Sequence, residues 1–84
     1  MGSSIVSRFD GVIIKMYPLN HLPPHFHVEY GEYEAVIDIA NLTLRAGSLP
    51  PKVLSRVLEW AKLHQQKLLY NWKLVKQGQY PLPI

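Results

Sequence analysis

The sequence predicts an α+β fold: an antiparallel sheet of four to five strands, built from two hairpins, followed by two C-terminal helices packed on one face. Three observations carry this. Short apolar runs divided by two-residue turn signals fill residues 5–47. Apolar residues at three- and four-residue spacing fill residues 50–78. The proline pairs Pro23-Pro24 and Pro50-Pro51 fall where a strand or helix period has to break. A stretch of strand periods followed by a stretch of helix periods is the α+β arrangement.

Taken in order, Ile5 to Phe9 and Val12 to Tyr17 flank Asp10-Gly11, a strong hairpin signal because both turn positions tolerate positive φ. Pro18 stops the second run. Leu19 to Pro24 then forms a stiff loop, since paired prolines fix φ and remove two amide donors, and it presents His21 with little freedom. Polar and apolar residues alternate from His25 to Tyr30 and again from Tyr33 to Ile39, around Gly31-Glu32. Glycine first in a two-residue connection suits a type II′ turn. Such a turn pairs 30 with 33, 28 with 35 and 26 with 37, and on the other face 29 with 34, 27 with 36 and 25 with 38. Phe26, Val28, Tyr30, Tyr33, Ala35 and Ile37 then face the core. His25, His27, Glu29, Glu34, Val36 and Asp38 face away, with His25 opposite Asp38 at hydrogen-bonding range.

Ala40-Asn41 turns the chain, Leu42 and Leu44 alternate with Thr43 and Arg45 as a short further strand or extension, and Gly47-Ser48 ends it. Pro50-Pro51 opens a helix where missing amides cost nothing, with Val53, Leu54, Val57, Leu58 and Ala61 as its buried face. Leu68, Leu69, Trp72 and Val75 resume the period. The polar His64-Gln65-Gln66 between the two sets predicts a kink or break. Gly78 is a helix stop, and Gln79 to Ile84, with Pro81 and Pro83, is an extended tail that either docks as an arm or stays mobile.

Eighty-four residues support one domain, 1–84, and so small a domain is compatible with sharing its core in a homodimer. With 48% hydrophobic and 18% charged residues it lies far from the profile of disordered chains. The absence of cysteine excludes a disulfide framework, a thiolate zinc site and a cysteine nucleophile. No run approaches the ~18 apolar residues of a membrane span, and the start, Met1-Gly2-Ser3-Ser4, lacks signal-peptide character, so a cytoplasmic location away from membranes is expected. Residues 1–59 hold five Lys/Arg and six Asp/Glu, net −1, whereas residues 60–84 hold four lysines, net +4. A basic end attracts nucleic acid or an acidic protein surface, or is simply a solvated helix face.

The chemistry concentrates on one hairpin. His25, His27 and Glu29, at alternate strand positions, project in one direction and could offer two imidazoles and a carboxylate to an ion, with His21 completing the set. A hairpin on so small a domain supplies little supporting shell, so no metal or cofactor is assigned. A metal-dependent hydrolase stays as an alternative. As acid and base, His25 and His27 would be catalytic, with Asp38 orienting His25. Metal-independent RNA cleavage also needs a cation for phosphate, available from Arg8, Arg45 or Lys15, while Lys73 and Lys76 on the basic helical end would approach the backbone. The competing reading makes the histidines polar residues of a solvated sheet face. Trp60 and Trp72 read as core, Tyr30 and Tyr33 as a cross-strand pair, and His64 as a helix cap or a further member of the cluster. No phosphate loop, zinc-finger spacing, helix-turn-helix or acyl-transfer nucleophile motif appears.

The segments Ile5 to Ile14, Pro23-Pro24-His25-Phe26-His27-Val28-Glu29-Tyr30-Gly31, Tyr33 to Ile39, Leu58-Glu59-Trp60-Ala61 and Asn71-Trp72 cover nearly the whole chain. Together they resemble a bacterial family called domain of unknown function 4160, the proline-proline-histidine-phenylalanine-histidine motif being the specific part. The resemblance implies a small stand-alone protein, often encoded beside a protein of the 2442 family, and hence a toxin of a toxin–antitoxin pair that a small cognate antitoxin binds. It implies Pro23 to Tyr30 as the site, with Arg8 and Asp38 in matched segments, and leaves open whether the site acts on RNA or only docks a protein.

Overall fold

The computed structural model describes residues 2–84. Five strands, β1 (Ile5–Phe9), β2 (Val12–Lys15), β3 (His25–Tyr30), β4 (Tyr33–Asp38) and β5 (Leu44–Gly47), precede two helices, α1 (Pro51–Leu63) and α2 (Gln65–Lys76). The strands form one antiparallel meander in the order β1-β2-β3-β4-β5. Each strand therefore pairs with its neighbour in sequence, as short turns require. Asp10 and Gly11 both adopt positive φ, at 49° and 79°, and close the first hairpin with Phe9 opposite Val12. Gly31, at φ 55°, does the same for β3 and β4, and the register is the predicted one, from Tyr30 opposite Tyr33 to His25 opposite Asp38.

That register sends Phe26, Val28, Ala35 and Ile37 to the inner face, where all are buried together with Val12 and Ile14. Tyr33, expected in the core, is 45% exposed because it pairs with Tyr30 at the turn, beyond the reach of the helices. Val53, Val57 and Ala61 from α1, with Leu68, Trp72 and Val75 from α2, complete the core. The break falls at His64, whose φ of −115° leaves the helical region. Its N–H bonds the Trp60 and Ala61 carbonyls to end α1, and its carbonyl accepts Leu68 N–H to begin α2. The His64 ring packs 5.2 Å from Trp60, so it serves the helix junction and not the hairpin. Gln65 Nε2 donates to the carbonyls of Ile39 and Ala40, fastening the start of α2 to the turn after β4.

At the other end Gly78 N–H bonds the Val75 carbonyl and Gln79 N–H the Leu74 carbonyl, with Gly78 at φ 83°. This double closure is the glycine-dependent helix stop that satisfies carbonyls left over by the last turn. The tail beyond it docks. The buried Asn71 donates Nδ2–H to the Leu82 carbonyl and accepts Leu82 N–H, both at 2.9 Å, and Ile84 N–H reaches Val6 O on β1 at 2.8 Å. The tail thus partly covers the β1 edge, while β5 at the opposite edge is exposed along its length. No helix among the described residues is long and apolar enough to cross a membrane.

Candidate functional site

The helices pack on the inner face, so the outer face of the sheet lies open, as one face of an antiparallel sheet commonly does, except where Trp72 of α2 reaches His25 at the end of β3. Its rows follow from the pairings. Arg8, Ile13, Glu29 and Glu34 form one row; Lys15, His27, Val36 and Ala46 form the next; His25 and Asp38 form the last. The middle row borders a cleft of about 430 Å³ lined also by Tyr17 and Gly47.

His25 and His27 come together, with ring centroids 5.1 Å apart. His25 is only 9% exposed, because its ring also lies 5.2 Å from Trp72 at the point where α2 reaches the end of β3. Its Nδ1 sits 2.8 Å from the Pro23 carbonyl. A carbonyl only accepts, so Nδ1 carries a proton, and in the neutral ring the lone pair is on Nε2. The stiff proline loop therefore fixes the tautomer of the histidine that follows it. His27 is half-buried, with Tyr17 edge-on at 4.8 Å and its Nε2 accepting from Asn20 Nδ2 at 3.4 Å. Burial, reinforced by the neighbouring His25, pushes its pKa below the ordinary histidine value despite opposing attraction from Glu29 and Glu34. The neutral form of His27 is thus favoured.

Several expectations for the site need correction. Asp38 stands opposite His25 as the register requires, yet its carboxylate is engaged elsewhere: Oδ1 accepts Asn41 N–H at 2.8 Å and Oδ2 accepts from Arg45 at 3.3 Å. The chain turns immediately after β4 and brings an amide within local reach of the aspartate, a competition that short acidic side chains commonly win. Pro23 orients His25, and Asp38 closes the β4–β5 turn. Arg45 is consequently tied up as well.

Glu29 lies four residues from His25, and strand geometry separates them by about 13 Å along the strand. It pairs with Lys15 at 2.9 Å, and this bond raises the Lys15 pKa. Among the described residues no three histidine, aspartate or glutamate side chains converge in a way that could hold a metal. His21 is exposed at the loop tip, and Asn20 beside it enters the site instead. Arg8 is exposed on the far row, beyond Ile13. Lys73 and Lys76 lie exposed on α2, in the layer on the other side of the sheet.

Tyr17, Asn20, Pro23 and Trp72 are the participants that residue type alone did not single out for this site. The reading of Trp72 as core was right, since it is 5% exposed, but its indole also walls the histidine pair. Its buried Nε1–H has no acceptor in the protein, a state that costs about 1–3 kcal/mol for a neutral donor.

Fold and site together define a small α+β domain with a five-stranded antiparallel meander, helices on one face and an oriented imidazole pair on the other. The chain belongs to the family described as Domain of unknown function (DUF4160), whose model matches residues 11–73. The match runs from the first hairpin turn through most of α2, and therefore includes the whole histidine hairpin. No curated protein and no solved structure gives a significant match to the chain.

Proposed function

We propose that this chain is the toxin component of a cytoplasmic bacterial type II toxin–antitoxin module, and that the open hairpin face is the surface its small cognate antitoxin covers. The two-protein module is what family resemblance implies. The surface is chosen on one observation: the uncovered sheet face is hollowed beside the half-buried histidine pair, where apolar Val36, Ala46 and Tyr17 meet the charged Glu29 and Glu34. Mixed apolar and polar lining around a recessed centre suits a protein interface. A neutral His27 suits it too, because covering an uncharged imidazole carries no ionic desolvation penalty.

A second reading, metal-independent RNA cleavage, is favoured by His25 Nε2, which Pro23 leaves as an oriented base. It lacks two parts. Neutral His27 is poorly suited to donate a proton at pH 7, and the nearby Lys15 is engaged with Glu29. Expression of the chain with and without its genomic neighbour, scored by growth and co-purification, tests the first reading. Val36→Lys and Ala46→Glu should abolish co-purification while leaving the fold intact; retained binding by both, or normal growth with the soluble chain alone, refutes it. Incubating the purified chain with RNA in chelator tests the second, which predicts cleavage that His25→Ala eliminates.

A further inference from the structure

The two layers of the molecule differ in charge. Through residue 49 the sheet and its turns carry Arg8, Lys15 and Arg45 against Asp10, Glu29, Glu32, Glu34 and Asp38, three cations to five anions, or −2. From residue 50 the helices and tail carry Lys52, Arg56, Lys62, Lys67, Lys73 and Lys76 against Glu59, six to one, or +5. All six of these cations are exposed. The ion pairs among the described residues are Lys15–Glu29 and Arg45–Asp38, both on the sheet, so the helical cations are not neutralised by partners.

A groove adjoins this basic layer. Asn71 clamps the tail at Leu82, and a hollow of about 340 Å³ separates the tail from α2. Tyr70 and Lys67 form one wall; Leu82, Pro83 and Ile84 form the other, which is apolar. Tyr70 is 54% exposed, so its ring is available to a ligand in the groove. Lys67, Tyr70 and Lys73 follow one another at three-residue intervals, neighbours on the helix surface that span about 9 Å along its axis.

We propose that α2 and the docked tail bind single-stranded nucleic acid, one base entering the groove against Tyr70 while Lys67 and Lys73 hold the flanking phosphates. An aromatic ring set between cations is the combination such strands use, since every base offers a π face and every linkage a charge. An acidic protein or an anionic bilayer would be drawn by the same lysines but would not require Tyr70. The groove and the histidine cleft share no lining residue, so this inference does not depend on the role proposed for that hairpin.

Fluorescence anisotropy of the full chain with a labelled oligouridine of about 12 nucleotides tests it, over roughly 50–200 mM salt. Binding should weaken with salt. Lys67→Glu with Lys73→Glu should weaken it at least about tenfold and flatten the logarithmic salt slope by about 1.4, two phosphates at ~0.7 each for a single strand. Tyr70→Ala should weaken it by about fivefold or more with the slope unchanged. All three side chains are exposed, so thermal melts of the variants should match the native chain. The proposal is overturned if the native chain fails to bind at the lowest salt, or if Tyr70→Ala binds like the native chain. Association with phosphatidylserine vesicles in place of the oligonucleotide overturns it as well.

Discussion

Replacing Asn71 should release the C-terminal tail and cost a measurable part of the fold's stability. The side chain is 1% exposed and makes two hydrogen bonds of 2.9 Å to one residue, Leu82, so that its amide acts as a segment of strand edge on a helix. At about 1 kcal/mol net per bond, Asn71→Leu, which keeps the branching and heavy-atom count of the side chain, should cost about 2 kcal/mol. Asn71→Ala adds a cavity and should cost about 3 kcal/mol. For a domain of this size 1 kcal/mol moves Tm by about 4–8 °C, so the two variants should melt about 8–16 °C and 12–24 °C below the native chain. Circular dichroism reads the melt, and amide hydrogen exchange reads the tail, because Leu82 N–H is bonded to Asn71 and Ile84 N–H to the Val6 carbonyl. Exchange at Leu82 and Ile84 should accelerate in both variants at temperatures where the rest of the chain is folded. A Tm within about 2 °C of native for Asn71→Leu, with unchanged exchange at Leu82 and Ile84, would refute the clamp.

Three further outcomes follow. His27 has a folded pKa below its unfolded value, so the unfolded chain takes up the proton first; its contribution to stability is complete above the unfolded pKa of about 6.5 and is lost as pH falls below that towards the folded pKa. Tm should therefore decline between pH 7 and 5, and His27→Gln should flatten that decline; identical profiles would exclude His27 as its source. Gly47, at φ 76°, sits where a Cβ would overlap the Glu34 carbonyl oxygen, whereas Gly31, at φ 55°, has open space around it. Gly31→Ala should cost about 1 kcal/mol in urea titration and Gly47→Ala distinctly more, and equal costs would contradict the close approach of β5 to β4. Trp72→Phe keeps an aromatic wall beside His25 while removing the acceptorless Nε1–H, so it should cost less than about 1.5 kcal/mol, against the 3–5 kcal/mol of a truncation to alanine.

The strands, their register and the helix break were legible because each depends on neighbours in sequence. Gly31-Glu32 alone determines which residues of β3 and β4 face one another, and Gly78 alone marks the end of α2. The site was legible only to the depth of that register. Facing Cα atoms placed Asp38 opposite His25, but they do not decide where a carboxylate points, and Asn41, three residues along, offered an amide nearer at hand. The alternating positions of His25, His27 and Glu29 gave a shared direction without a shared point, since each two-residue step advances the strand by nearly 7 Å. Trp72 and Asn71 were beyond reach for a different reason. Their partners, His25 and Leu82, are set by how α2 lies on the sheet and how the tail returns along it, and no local period encodes either packing.

The same packing explains why the histidine pair is unequal. His25 stands at the first residue of β3, where the proline loop ends and α2 passes, so one ring nitrogen is bonded to Pro23 and one side of the ring is closed by Trp72. His27, two residues along, has passed the helix and meets Tyr17 and the cleft instead. Its pKa is depressed first by burial and then by the neighbouring His25. A site whose half-buried imidazole resists protonation suits a face that a protein covers, because little ionic charge has to be desolvated there. It is less suited to the simultaneous acid and base that cleavage of a phosphodiester would require. If cleavage is nevertheless observed and depends on His25, the proton donor has to come from outside the pair, and Tyr17, already edge-on to His27, is the residue whose replacement by phenylalanine decides the point.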